Sequence, residues 1–170
     1  MSVSRPWLFL DCDGVVCPLP HPDAAVRELR AVPAGYRSWP DAFWGVYVHE
    51  LLCGWAIELD ATYAVIWTTD WEHNVQGLVA KPAGLPTWPV LELHRRAAPR
   101  GRVAHKASAI AALLAEDPRP FAWVDDHLPS TPPMQLPSLD LEHLLLRPNP
   151  QRGLTRQLVE KLLSFAAALS

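Results

Sequence analysis

Lysine is nearly absent. Only Lys81, Lys106 and Lys161 stand among fifteen cationic side chains, and arginine supplies the rest. Cysteine is as scarce: Cys12, Cys17 and Cys53 show no metal-ligand spacing, and their odd number argues against a disulfide framework. No apolar run approaches the roughly 20 residues a membrane-spanning helix needs. Met1 to Pro6 carries no extended apolar leader, so the expectation is a cytoplasmic protein with free thiols, no membrane partner and a fold beginning at Trp7. A net charge of −3 gives no long-range pull toward phosphate backbones, which leaves only a local basic patch open. With 49% hydrophobic residues, disorder throughout is excluded as well. The length of 170 residues suits one core and is too short for two ordinary ones, so a single domain over 1–170 is expected.

Proline and tryptophan are plentiful, at 18 and 8 residues. The prolines cluster at 18–22, 82–89 and 129–137, where they mark loops. Between the loops lie short apolar runs of strand length: Trp7 to Leu10, Tyr63 to Trp67, Phe121 to Val124 and His143 to Leu146. Trp88 to Leu91 is a weaker candidate, since Pro89 suits only an edge or a strand start. Helical spacing of apolar residues appears over Glu50 to Leu59, Lys106 to Ala115 and Leu154 to Leu169, the last with Thr155 as a cap. Strands alternating with helices predict an α/β fold, a Rossmann-like three-layer sandwich around a mostly parallel sheet. Between Asp13 and Glu50 the pattern changes. Val26 to Val32 and Phe43 to Val48 predict a β-hairpin flap over about 26–48.

The chemistry sits at the strand ends. Asp11 and Asp13 follow the first strand, Thr68 and Thr69 another, Asp125 and Asp126 a third, and Lys106 opens a helix. In a parallel sheet these groups converge on the carboxyl edge, where ligands of such folds bind. Clustered carboxylates repel one another, so their convergence calls for a cation. Oxygen-only donors favour a hard ion, and Mg²⁺ commonly shares its shell with a phosphate. Taken singly, each residue has an ordinary reading as a turn, cap or solvated residue. It is their order and placement together that point to a site.

The stretch Leu8-Phe9-Leu10-Asp11-Cys12-Asp13-Gly14-Val15-Val16 resembles the first motif of the haloacid dehalogenase-like (HAD) superfamily. Ala64 to Thr69, Lys106 and Trp123-Val124-Asp125-Asp126 resemble the other three motifs in the same order, so the resemblance spans residues 7 to about 127. The resemblance implies a Mg²⁺-dependent phosphatase acting through an aspartyl-phosphate. Asp11 would be the nucleophile and Asp13 the general acid and base. Asp11, the Asp13 carbonyl and Asp126 would hold the metal, with Asp125 reaching it through water or turning toward Lys106. Thr69, chosen within the pattern Trp67 to Trp71, would bind a phosphoryl oxygen. Lys106 would neutralise charge, and Gly14 would allow a turn that brings backbone N–H groups toward the phosphate.

The intervals between these motifs are too short for an independent cap domain. Capless members act on large phosphorylated substrates or borrow a cap by oligomerising, and no oligomer interface is legible in the sequence. Three alternatives stay open: a nucleic-acid-end or phosphoprotein phosphatase, a phosphotransferase, and a phosphate-binding domain without efficient turnover. Tyr36, Trp39, Trp44, Tyr47 and Trp71 either stack a nucleobase or pack the flap onto the core. Arg27, Arg30 and Arg37 either read a second phosphate or form ordinary surface pairs. His73 and His127 flank two motifs, and Cys12 is expected to point into the core.

Overall fold

A computed structural model describes residues 4–20, 32–39, 46–93, 102–129 and 141–169. Four short strands, β1 (Trp7–Leu10), β4 (Ala64–Trp67), β5 (Phe121–Val124) and β6 (His143–Leu146), make one parallel sheet in the order β4-β1-β5-β6. β1 pairs with both β4 and β5, Leu10 lying level with Trp67 and with Val124. β1, β4 and β5 are apolar on both faces because each face is covered, while the edge strand β6 starts at exposed His143. Leu8, Leu10, Val65, Trp67, Ala122 and Val124 point to one core with α1 (Leu52–Thr62) and α3 (Arg156–Ala168). The alternate residues Phe9, Ile66, Phe121 and Trp123 point to a second core with α2 (Arg102–Glu116). Period-two alternation across the pleat thus gives helix, sheet and helix in three layers. No helix among the described residues is long and apolar enough to cross a membrane.

The strand runs match their expected positions to within one residue. α1 lies two or three residues later than its apolar spacing predicts. α2 starts at Arg102, so Lys106 sits one turn inside the helix instead of opening it. Nothing between Arg102 and Lys106 resists helix, and the last proline upstream is Pro99. Thr155 caps α3 as expected, its side chain accepting from the Leu158 N–H. The segment around Val90 joins the sheet through a single bridge to Trp67. Pro89, which has no N–H, lends only its carbonyl there.

The hairpin differs from its expected form. The ladder pairs β2 (Tyr36–Arg37) with β3 (Val48–His49), antiparallel. Residues 26–31 and 43–45, most of the two expected strands, lie outside the described residues, and Val32 is exposed and not in a strand. In the expected hairpin, Pro33-Ala34-Gly35 and the polar stretch after it join the two strands. Pro33-Ala34-Gly35 is instead a turn ahead of β2, closed by Tyr36 N–H to Pro33 O, with Gly35 at φ +83°. Only glycine takes that conformation without strain, which sets the point where pairing begins.

Candidate active site

The sheet ladder continues one residue past its strands. Asp11 N–H donates to Val124 O, Thr68 N–H to Leu10 O and Asp125 N–H to Leu146 O. That brings Asp11, Thr68 and Asp125 into one row along the carboxyl edge. Lys106 reaches the row from α2 with its ammonium buried. Its Nζ donates to Asp11 Oδ2 at 2.5 Å and to Asp125 Oδ2 at 2.8 Å. The remaining oxygens are also held: Asp11 Oδ1 by the Cys12 N–H at 2.7 Å, Asp125 Oδ1 by the His127 N–H at 2.8 Å.

The turn after β1 is tight. The N–H groups of Val15, Val16 and Cys17 all donate to Cys12 O, and Gly14 N–H donates to Cys17 O. Gly14 has φ +69°, and a Cβ there would lie 2.5 Å from Asp126 Cγ and Oδ2. The missing side chain therefore lets this turn close on the Asp126 carboxylate. The Gly14 N–H is itself used inside the turn. Asp126 Oδ1 lies 2.7 Å from His127 Nδ1, and Asp126 O accepts from Arg147 Nε. Asp13 is half-buried, and its Oδ2 accepts from the indole Nε1–H of Trp71 at 2.9 Å.

Thr69 is fully buried one residue beyond the row, with its hydroxyl oxygen accepting from the Trp71 N–H at 3.3 Å. Thr68 Oγ1 is buried without a hydrogen-bond partner among the described residues. Asp70 Oδ1 meets His105 Nε2 at 3.0 Å, which ties the loop after β4 to α2.

Burial decides the electrostatics. It raises the Asp11 carboxyl from 3.8 to about 7, against the lowering effect of Lys106 and with a further push from Asp125. Burial likewise raises the Asp13 carboxyl, against the Trp71 hydrogen bond. Burial alone would lower the Lys106 ammonium, but Asp11 and Asp125 outweigh it and the net shift is upward. Among the described residues, the buried charged side chains are Asp11, Asp125 and Asp126 against Lys106. Three carboxylates to one ammonium leave room for a divalent cation, and an oxygen-rich donor set fits Mg²⁺. Asp125, Asp126 and His127 each offer a donor atom, all within 4.8 Å of one another.

The expected site residues thus divide. Asp11, Lys106 and Asp125 are joined directly, Asp126 meets Gly14, and Asp13 and Thr69 are linked through Trp71. Sequence reasoning missed the indole bond to Asp13 and the Arg147 bond to Asp126. Trp71 was visible as an aromatic beside the second motif, but spacing does not show where an N–H points. Among the described flap aromatics, Tyr36 meets Tyr47 edge-on and donates to Arg152 O, and Trp39 packs on the core. Trp44, Arg27 and Arg30 lie outside the described residues. Arg37 donates to Ala83 O and Cys53 Sγ, so it ties β2 to α1 and to the loop at Ala83. Cys12 is buried beside Cys17, as expected, while His73 is exposed.

A family model described as "HAD domain in Swiss Army Knife RNA repair proteins" matches residues 7–159. No curated protein and no solved structure matches the chain. The family match covers most of the chain, which therefore belongs to this family of HAD domains and, with it, to the HAD-type hydrolases.

Proposed function

We propose that the chain is a Mg²⁺-dependent phosphomonoesterase that forms an aspartyl-phosphate on Asp11 and takes a terminal phosphate of a nucleic-acid strand. The observation that carries the chemistry is the buried Asp11–Lys106–Asp125 chain of ion pairs at the carboxyl edge of the sheet. An Asp11 oxygen attacks phosphorus in line. The P–O bond to the alcohol breaks, and Asp13 gives its proton to the departing oxygen. Asp13 then takes a proton from water, whose oxygen attacks the same phosphorus. Inorganic phosphate leaves and the Asp11 carboxylate is restored. The raised Asp13 carboxyl supports this role, because an acid must hold a proton near neutrality. Lys106 balances charge on Asp11 and the phosphoryl oxygens, and the Thr69 hydroxyl donates to one of those oxygens. When bound, Mg²⁺ supplies further charge neutralisation to the phosphoryl group. Asp11, the Asp13 carbonyl and Asp126 would hold it, as the family resemblance implies, while Asp125 turns to Lys106 and the His127 N–H.

The nucleic-acid reading rests on the family description. We further read the chain as one domain over 1–170, with the segment 26–48, including the β2–β3 ladder, as a flap in place of a cap. An open edge of this kind suits a polymer end. The test is phosphate release from 4-nitrophenyl phosphate and from oligonucleotides bearing a 3′- or 5′-phosphate, beside Asp11→Asn. Release that persists in the variant removes Asp11 as nucleophile. Turnover of the aryl ester with none of either oligonucleotide removes the polymer substrate and leaves the chemistry.

A further inference from the structure

Asp13 is expected to move a proton twice per turnover, yet it sits on a short turn with rotatable side-chain bonds. Its carboxylate has one side-chain hydrogen-bond donor among the described residues, the Trp71 indole on Oδ2. Oδ1 has no donor among them. Trp71 comes from a separate part of the chain, 58 residues away, in the loop after β4. That loop is built to hold its place. The Trp71 N–H is taken by Thr69 Oγ1, Asp70 is tied to His105 on α2, and Glu72 adopts φ +50° with its N–H on Thr69 O. A left-handed residue other than glycine is strained and persists where surrounding contacts demand it. Here those contacts bring the indole N–H back over the first-motif turn.

We propose that Trp71 is a positioning residue, whose indole N–H fixes the Asp13 carboxyl so that its other oxygen faces the leaving group. The inference rests on the phosphatase reading above. Because Thr69 bonds the same residue through its hydroxyl, one loop sets both the phosphoryl-binding hydroxyl and the proton donor.

The experiment compares two leaving groups in Trp71→Phe, which keeps an aromatic ring and deletes the donor. An alkyl phosphate needs the proton because an alkoxide leaves poorly, whereas 4-nitrophenolate leaves without it. We expect kcat/KM for the alkyl ester to fall about tenfold to a hundredfold and for the aryl ester less than about threefold, since a misplaced Asp13 forfeits only part of the roughly hundredfold or more that a general acid contributes. An equal fall on both esters, or none, overturns the proposal, since loss of packing alone does not distinguish leaving groups. The second measurement needs no turnover. The Trp71 indole N–H resonance is followed by ¹⁵N NMR in the native chain and in Asp13→Ala. An upfield move in the variant supports the contact, and an unmoved signal overturns it. If the native chain releases phosphate from neither ester and from neither oligonucleotide, the phosphatase reading falls, and the NMR result still decides whether Trp71 holds Asp13.

Discussion

At the scale of the residue, Asp11 shows the tension in the site. It is 4% exposed, shares Lys106 with Asp125, and its carboxyl is raised to about 7. Between pH 4 and 7 the folded chain therefore holds a proton that the unfolded chain has released. Stability falls as pH rises through that window, because the folded state binds more protons there. Asp11→Asn removes the titration while leaving Lys106 paired with Asp125. In metal-free buffer the variant should melt near the native temperature at pH 4 and increasingly above it toward pH 8. Thermal melts at a series of pH values check this, and a difference independent of pH would refute it. The paired acids also mark a limit of the sequence. Asp125 and Asp126 are chemically alike and adjacent, so only the continued ladder shows that Asp125 turns to Lys106 while Asp126 meets Gly14.

Among the elements, the strands were legible because four consecutive apolar residues at a covered sheet leave little choice. The helices were legible by period and Thr155 by its capping chemistry, but helix starts shifted because neighbouring residues also tolerate helix. The exact residues of the β2–β3 pairing were not legible because two residues per strand carry no alternation to read. Contacts between elements were invisible altogether. Tyr63 ends the turn between α1 and β4, and its fully buried hydroxyl donates to Leu162 O of α3 at 2.5 Å. Burial raises the phenol well above its ordinary 10. The folded chain then keeps a proton that the unfolded chain loses above pH 10, so stability drops as pH rises past that point. Tyr63→Phe should lose about 1 kcal/mol at neutral pH through the missing hydrogen bond. It should also show a shallower alkaline loss than the native chain. Urea unfolding at pH 7 and at pH values above 10 measures both; equal alkaline slopes would count against the phenol as the cause.

For the whole molecule, the decisive feature is that three buried acids and one buried ammonium meet at one edge of the sheet. A cation that binds only the folded state stabilises it by mass action, about 2.7 kcal/mol at a hundred times its dissociation constant. Saturating Mg²⁺ should therefore raise the native melting temperature, and Asp126→Asn should lose most of that rise. An equal rise in both proteins would place the ion elsewhere. The amino-acid order alone determined the α/β class, the four parallel strands and the acids and hydroxyls at their ends, because strand length, periodicity and residue chemistry are local properties. Tertiary structure alone decided which oxygen meets which nitrogen: Lys106 bridging Asp11 and Asp125, Gly14 closing on Asp126, and the Trp71 indole on Asp13. These contacts join residues far apart in the chain, and their directions follow from sheet register and loop path, which no stretch of neighbouring residues encodes by itself.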